Sequence, residues 1–120
     1  MDNKTYSKEL EERTKRFAIF IIRLSAELPG TPEGNVVRNQ ITKAGTSIGA
    51  NYREANRSRS RADFRHKIKI CESEASETQY WLEIVTALNW LPVKEIEDVF
   101  RECSELLAIF TSIGKTLRPI

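Results

Sequence analysis

The sequence predicts an all-α protein, an antiparallel four-helix bundle of up-down-up-down topology. Apolar residues recur every three or four positions along four segments, which is the spacing of amphipathic helices. No segment alternates polar and apolar residues as a half-buried strand does, and only short links separate the four segments. The 120 residues have the length of one domain, so we expect a single domain over residues 1–120.

The first two predicted helices are joined by a link that contains Pro29 and Gly30. The first helix covers residues 6–28 and ends before this pair, because proline and glycine commonly follow a helix. The second helix covers residues 33–57, and Thr31 is a suitable N-cap residue for it.

The second predicted helix contains Gly45 and Gly49, which lie one turn apart. Each glycine inside a helix costs about 1 kcal/mol relative to alanine. Two such residues indicate either the close approach of a neighbouring helix or a bend in this one.

The third helix is predicted over residues 61–89, where Ser60 and Asp63 resemble a capping box. The fourth is predicted over residues 93–117, after a short link that ends at Pro92. Four helices of three to seven turns with short links favour antiparallel neighbours.

Positive charge is concentrated where the second helix ends and the third begins. Residues 53–69 contain seven Lys or Arg against two acidic residues, so this segment carries +5 and the rest of the chain sums to −3. Such clusters are typical of phosphate binding, and a helix N-terminus also favours anions. The predicted nucleic-acid contacts, here named the basic corner, are Arg57, Arg59, Arg61, Arg65 and Lys67.

A second set of polar residues is predicted to form a network between the second and third helices. Two of its carboxylates stand in an otherwise apolar stripe and need partners if they are buried. We expect the network to fix the helix register or a subunit interface. Its residues are Asn51, Arg53, Glu54, Glu74 and Glu77. The alternative for the basic corner is that its arginines pair with these carboxylates or with Asp63.

The sequence offers no pattern for catalysis, a metal or a cofactor. A carboxylate-bridged di-metal bundle needs two Glu-x-x-His motifs, and His66 is the single histidine. Neither Cys71 nor Cys103 has a histidine at a suitable spacing, and no phosphate-cradling glycine loop is present. We therefore expect a protein that is not an enzyme, with both cysteines as packed, reduced thiols in the cytoplasm. No apolar run is long enough to span a membrane.

Apolar residues exceed what the core of one small bundle needs. Trp81, Ile84, Leu88 and Trp90 extend a second stripe of the third helix and the link that follows it, and the first helix is apolar on more than one side. Excess apolar surface commonly marks an interface, so we expect self-association or a protein partner.

A set of short motifs lies between residues 37 and 91: Ala44, Thr46-Ser-Ile48, Asn51-Tyr-Arg-Glu54, Arg57-Ser-Arg-Ser-Arg61, Asp63-Phe64 and Glu74-x-x-Glu-Thr-x-Tyr-Trp-Leu82. By these residues the chain resembles the bacterial "four helix bundle protein" family, also called the 23S rRNA intervening-sequence protein family. The resemblance implies an antiparallel four-helix bundle, a ring-like homopentamer and no established catalytic residues. Some members of that family are encoded inside insertions in ribosomal RNA genes, and related bundle proteins bind nucleic acid.

Together these observations predict an oligomeric scaffold or accessory protein that contacts the backbone of RNA or DNA. The aromatic residues do not alternate with the basic ones, so base stacking is not expected. The alternative is a purely structural or protein-interaction module without nucleic-acid contact.

Overall fold

The computed structural model describes residues 2–117, which form four α-helices. Within this range there is no strand, so the predicted all-α four-helix fold is confirmed. The helices are α1 (Asn3–Ser25), α2 (Pro32–Ala55), α3 (Arg61–Ala87) and α4 (Val93–Thr116). None of these helices is long and apolar enough to cross a membrane.

Side-chain caps set the beginnings of the first three helices. The carboxylate of Asp2 accepts a hydrogen bond from the backbone N–H of Thr5, and Thr31 and Ser60 cap α2 and α3 in the same way. Each cap satisfies a donor that would otherwise lack a partner in the first helical turn. α4 begins after Pro92 and has no side-chain cap.

The prediction of residues 6–28 for the first helix is wrong at both ends. The cap at Asp2 starts α1 three residues earlier. At the other end the backbone tightens after Ser25, and Arg38 of α2 donates from Nε to the Ser25 carbonyl at 3.0 Å and from its terminal nitrogen to the Leu28 and Pro29 carbonyls. A side chain from α2 therefore takes the place of continued helical hydrogen bonds. The other predicted bounds differ from the observed ones by two residues at most.

Consecutive helices run antiparallel, as the positions of their contacts show. Between α1 and α2, Asn56 donates to Glu11 at 2.9 Å, whereas Arg38 reaches the far end of α1 at Ser25. Early residues of α1 thus meet late residues of α2.

The α2–α3 and α3–α4 pairs are also antiparallel. Lys67 of α3 lies 3.6 Å from Glu54. Nearer the middle of both helices, Cys71 lies against Ile48 of α2. Arg61, at the beginning of α3, donates to the carbonyl of Thr116 at the end of α4. α2 and α4 therefore lie on either side of α3 and run opposite to it.

The core lies between all four helices. Tyr52 of α2 and Phe110 of α4 pack edge to face, with ring centroids 5.5 Å apart, and both rings are buried. Burial of such large side chains is the main favourable contribution to folding. Among the described residues, the aliphatic side chains without solvent exposure are Ile21, Ile41, Ala44, Ile48, Ile68, Ala75, Leu82, Val85 and Leu106.

Gly45 and Gly49 of α2 lie against α1. A Cβ placed on Gly45 would lie 2.8 Å from Cγ2 of Ile21, and one on Gly49 would lie 3.0 Å from Oγ1 of Thr14. Because Ile21 is fully buried and branched at Cβ, it has little room to move aside. The structure supports close helix approach as the reason for this glycine pair.

We expect Gly45→Ala to lower the free energy of unfolding by about 1–2 kcal/mol. The added methyl group overpacks the α1–α2 contact, and this cost exceeds the gain of about 1 kcal/mol in helix propensity. Urea unfolding followed by circular dichroism measures the difference. Gly114→Ala is the control, because no atom of residues 2–117 outside its own helical surroundings lies within 4 Å of its added Cβ, and it should leave stability unchanged or raise it. A Gly45→Ala protein as stable as the wild type would contradict the packing argument.

Candidate nucleic-acid interface

The basic corner begins in a tight link between α2 and α3. The backbone N–H groups of Arg57 and Ser58 donate to the carbonyls of Glu54 and Ala55, both at 3.0 Å, and continue the turn beyond α2. Ser60 then caps α3. The arginines of this link therefore project from an ordered backbone.

Three arginines of the basic corner are exposed. Within residues 2–117, no carboxylate lies within 4.0 Å of Arg57, Arg59 or Arg61. Arg61 donates to the Thr116 carbonyl at 3.3 Å, at the negative end of the α4 dipole. None of the three is paired with Glu74 or Glu77.

Arg65 and Lys67 have a different environment. Both are half-buried, and Lys67 Nζ lies 3.6 Å from the carboxylate of Glu54. Nε of Arg65 is shielded from solvent and has no hydrogen-bond partner among the described residues. The structure thus divides the five predicted contacts into three exposed arginines and two half-buried cations on the first turns of α3.

The fold brings further basic residues to this end of the bundle. α1 begins here and α4 ends here, so the exposed Lys4, Lys8 and Lys115 belong to the same end as the basic corner. Sequence reasoning missed these three lysines because they are separated from the corner by about fifty residues on each side. Only the antiparallel packing places them there.

The predicted polar network divides into separate contacts. Arg53 lies 3.6 Å from Glu11 of α1, whereas Glu54 meets Lys67 of α3. Asn51 donates to the carbonyl of Ser47 within its own helix, at 2.8 Å. The first two contacts join α2 to both of its neighbours, but the five predicted residues do not share one network.

Glu74 and Glu77 lie one turn apart on α3. Partial burial raises the pKa of the Glu74 carboxyl, repulsion from Glu77 raises it further, and Lys43 of α2 lowers it. Glu77 is exposed and accepts a hydrogen bond from Nε1 of Trp81 at 3.3 Å. The carboxylate pair is therefore a local source of repulsion.

The best-formed ion pair of the structure was not predicted. Arg13 of α1 donates to both carboxylate oxygens of Glu102 of α4, each at 2.7 Å, and to Glu105 at 3.0 Å. These hydrogen bonds raise the pKa of the Arg13 guanidinium further above its usual range. The partners are 89 residues apart, so no local pattern could reveal them.

The two cysteines are free and buried in the α3 contacts. The Cys71 thiol donates to the carbonyl of Ile48 at 3.5 Å, and the Cys103 thiol donates to that of Ala75 at 3.3 Å. Burial raises the pKa of each thiol to about 12. Among residues 2–117, no group of three or more His, Cys, Asp or Glu side chains could hold a metal ion.

Comparison with known proteins matches the chain to a family model and to solved structures. The family model described as "23S rRNA-intervening sequence protein" matches residues 8–112, which include all of α2 and α3. The crystal structure of a protein of unknown function from the S23 ribosomal protein family of Bacteroides thetaiotaomicron is 36% identical, with a TM-score of 0.81. This similarity covers 88% of this chain and 97% of that chain. No curated protein matches the sequence.

Glu74→Gln should raise the melting temperature at neutral pH. Because the pKa of Glu74 is raised on folding, its ionised form destabilises the folded protein at every pH above that raised value. As the pH falls through the raised pKa and then below the ordinary value, the wild-type carboxyl becomes protonated in both states, and the difference between the proteins disappears. Thermal unfolding between about pH 7 and pH 3.5 measures this.

Glu27→Gln is the control, since Glu27 is an exposed carboxylate outside the α3 pair. It should leave the melting temperature close to that of the wild type. A Glu74→Gln protein that melts below the wild type at neutral pH would mean that the ionised carboxylate has a stabilising partner.

Proposed function

Because this chain belongs to the 23S rRNA-intervening sequence protein family, we propose that it is a non-enzymatic oligomeric bundle protein that binds the phosphate backbone of RNA or DNA. The observation that carries the proposal is the exposure of Arg57, Arg59 and Arg61, together with their lack of a carboxylate partner among the described residues. They are exposed, and no carboxylate among residues 2–117 lies within 4.0 Å of them. Unpaired guanidinium groups are available to phosphates at no cost in broken ion pairs.

The aromatic residues nearest the basic corner in the sequence support contact with the backbone of a nucleic acid rather than with its bases. Tyr52 is buried in the core, and Phe64 packs against the core from α3. Neither ring is free to stack on a base, whereas the lysines of α1 and α4 extend the positive surface. The family description names 23S rRNA, so a structured RNA is the first ligand to test.

Self-association is part of the proposal, and the resemblance implies a homopentamer. Exposed apolar side chains support it, among them Ile22 on α1, Val36 on α2 and Leu88 after α3. A ring would repeat the basic corner on every subunit and add avidity to a weak single contact. The free, buried thiols suit the cytoplasm, where we propose that the protein acts.

The second candidate function is a purely structural or protein-interaction module. The same exposed apolar side chains favour it, because they provide an interface without any role for the arginines. The two functions differ in whether removal of the arginines affects a measurable nucleic-acid affinity.

The proposal predicts that the protein binds structured ribosomal RNA with an affinity that falls as salt increases. Each phosphate contact contributes about 0.7–0.9 to the slope of log K against log salt. We expect Arg57→Ala/Arg59→Ala/Arg61→Ala to reduce that slope by about 2–3 and to weaken binding at low salt. Fluorescence anisotropy with labelled RNA, and with duplex DNA for comparison, measures both quantities.

The control variant is Lys43→Ala/Lys94→Glu, which lowers the net charge by the same amount at exposed sites outside the basic corner. If this variant and the triple arginine variant lose the same affinity, the interaction depends on overall charge and not on the corner. Absence of binding at low salt would favour the second candidate function.

A further inference from the structure

An open groove lies between the last turns of α3 and the first turns of α4. Its volume is about 650 Å³, and most of its lining surface is apolar. Ile96 is buried at its floor, Phe100 is half-buried, and Val93 is 57% exposed at its edge. Solvated apolar surface of this kind is stabilised by a covering partner.

The rim of this α3–α4 groove is acidic. Glu83 and Glu97 line it, both are exposed, and no cation among the described residues lies within 4.0 Å of either. Arg101 also lines the groove, but it is paired with Asp98 at 3.3 Å. The groove therefore presents an apolar floor between two unneutralised carboxylates.

The complementary surface is present on the same chain. The solvent side of α1 carries Ile19, 40% exposed, and Ile22, 49% exposed. Lys15, Arg16 and Arg23 are exposed beside them, and within residues 2–117 none has a carboxylate within 4.0 Å. This α1 outer face combines two apolar side chains with three unpaired cations.

The spacing of the charges also agrees between the two surfaces. From Arg16 to Arg23 the α1 outer face extends over about 10 Å, because a helix rises 1.5 Å per residue. The α3–α4 contacts Ala75–Cys103 and Gln79–Ser104 set the antiparallel register of this pair. In that register Glu83 and Glu97 lie at the same level on opposite sides of the groove, and packed helices are about 8–10 Å apart. An amphipathic helix in a groove is a recurrent mode of association.

We propose that the α1 outer face of one subunit docks in the α3–α4 groove of a second copy of this chain. Ile19 and Ile22 cover the apolar floor, and Arg16 and Arg23 approach Glu83 and Glu97. Because the two surfaces are different, the contact is head-to-tail. A pair of subunits therefore still has one unoccupied groove and one unoccupied α1 outer face. Such contacts propagate until they close into a ring or extend as a filament. The pairing rests on the self-association in the proposed function and specifies its surfaces.

Charge reversal tests the pairing without removing the apolar core. One variant is Arg16→Glu/Arg23→Glu, the second is Glu83→Lys/Glu97→Lys, and the third combines all four changes. We expect the wild type to be an oligomer by light scattering, each double variant to dissociate at least tenfold more readily, and the combined variant to recover the wild-type mass. Circular dichroism establishes that each variant is folded. The matched control is Glu27→Lys/Glu33→Lys, exposed carboxylates outside both surfaces, which should keep the wild-type mass.

Recovery of the wild-type mass in the combined variant supports direct pairing, because the acidic α1 outer face then meets a basic groove rim. Double variants that keep the wild-type mass would overturn the pairing while leaving self-association through another surface intact. Dissociation without recovery would also overturn it. A wild-type protein that is monomeric at all concentrations would overturn both the pairing and the oligomeric part of the proposed function. RNA affinity of monomeric variants, measured separately, tests the basic corner independently.

Discussion

The close approach of α1 and α2 is the constraint on which the rest of the structure depends. Gly45 and Gly49 let the backbone of α2 come within contact of Ile21 and Thr14, and no other residue type fits at that distance without movement. The pair is therefore locked in one register. The contacts at its two ends, Arg38 on the carbonyls after α1 and Asn56 on Glu11, occur only in that register. In this register the end of α2, and with it the start of the basic corner, lies beside the first turns of α1.

α1 is held on its other side by different means. Against α4 it makes fewer close contacts, and the double hydrogen bond of Arg13 with Glu102 bridges the gap. A partly exposed ion pair contributes little net free energy, but its fixed geometry specifies an alignment. Dense packing thus determines the α1–α2 distance, and directional polar bonds determine how α1 lies along α4.

The helical periodicity was sufficient to predict the fold, because a helix that buries one side has apolar residues every three or four positions. It was insufficient for features that depend on distant residues. The end of α1 is set by Arg38, and the ion pair at Glu102 joins residues 89 positions apart. Within the basic corner, the sequence analysis predicted the same role for Arg59 and Arg65. Their environments differ because Arg59 lies in the exposed link, whereas Arg65 lies on the second turn of α3 with its Nε shielded from solvent.

The reactivity of the two buried thiols can report transient opening of the folded protein. Alkylating reagents attack only the thiolate, and with pKa values of about 12 the folded protein offers almost none at neutral pH. Modification therefore proceeds through transient opening. Cys71 lies in the α2–α3 contact and Cys103 in the α3–α4 contact, so each thiol reports the opening of a different pair of helices. Equal labelling rates would identify the bundle as one cooperative unit, and unequal rates would show which pair of helices separates first.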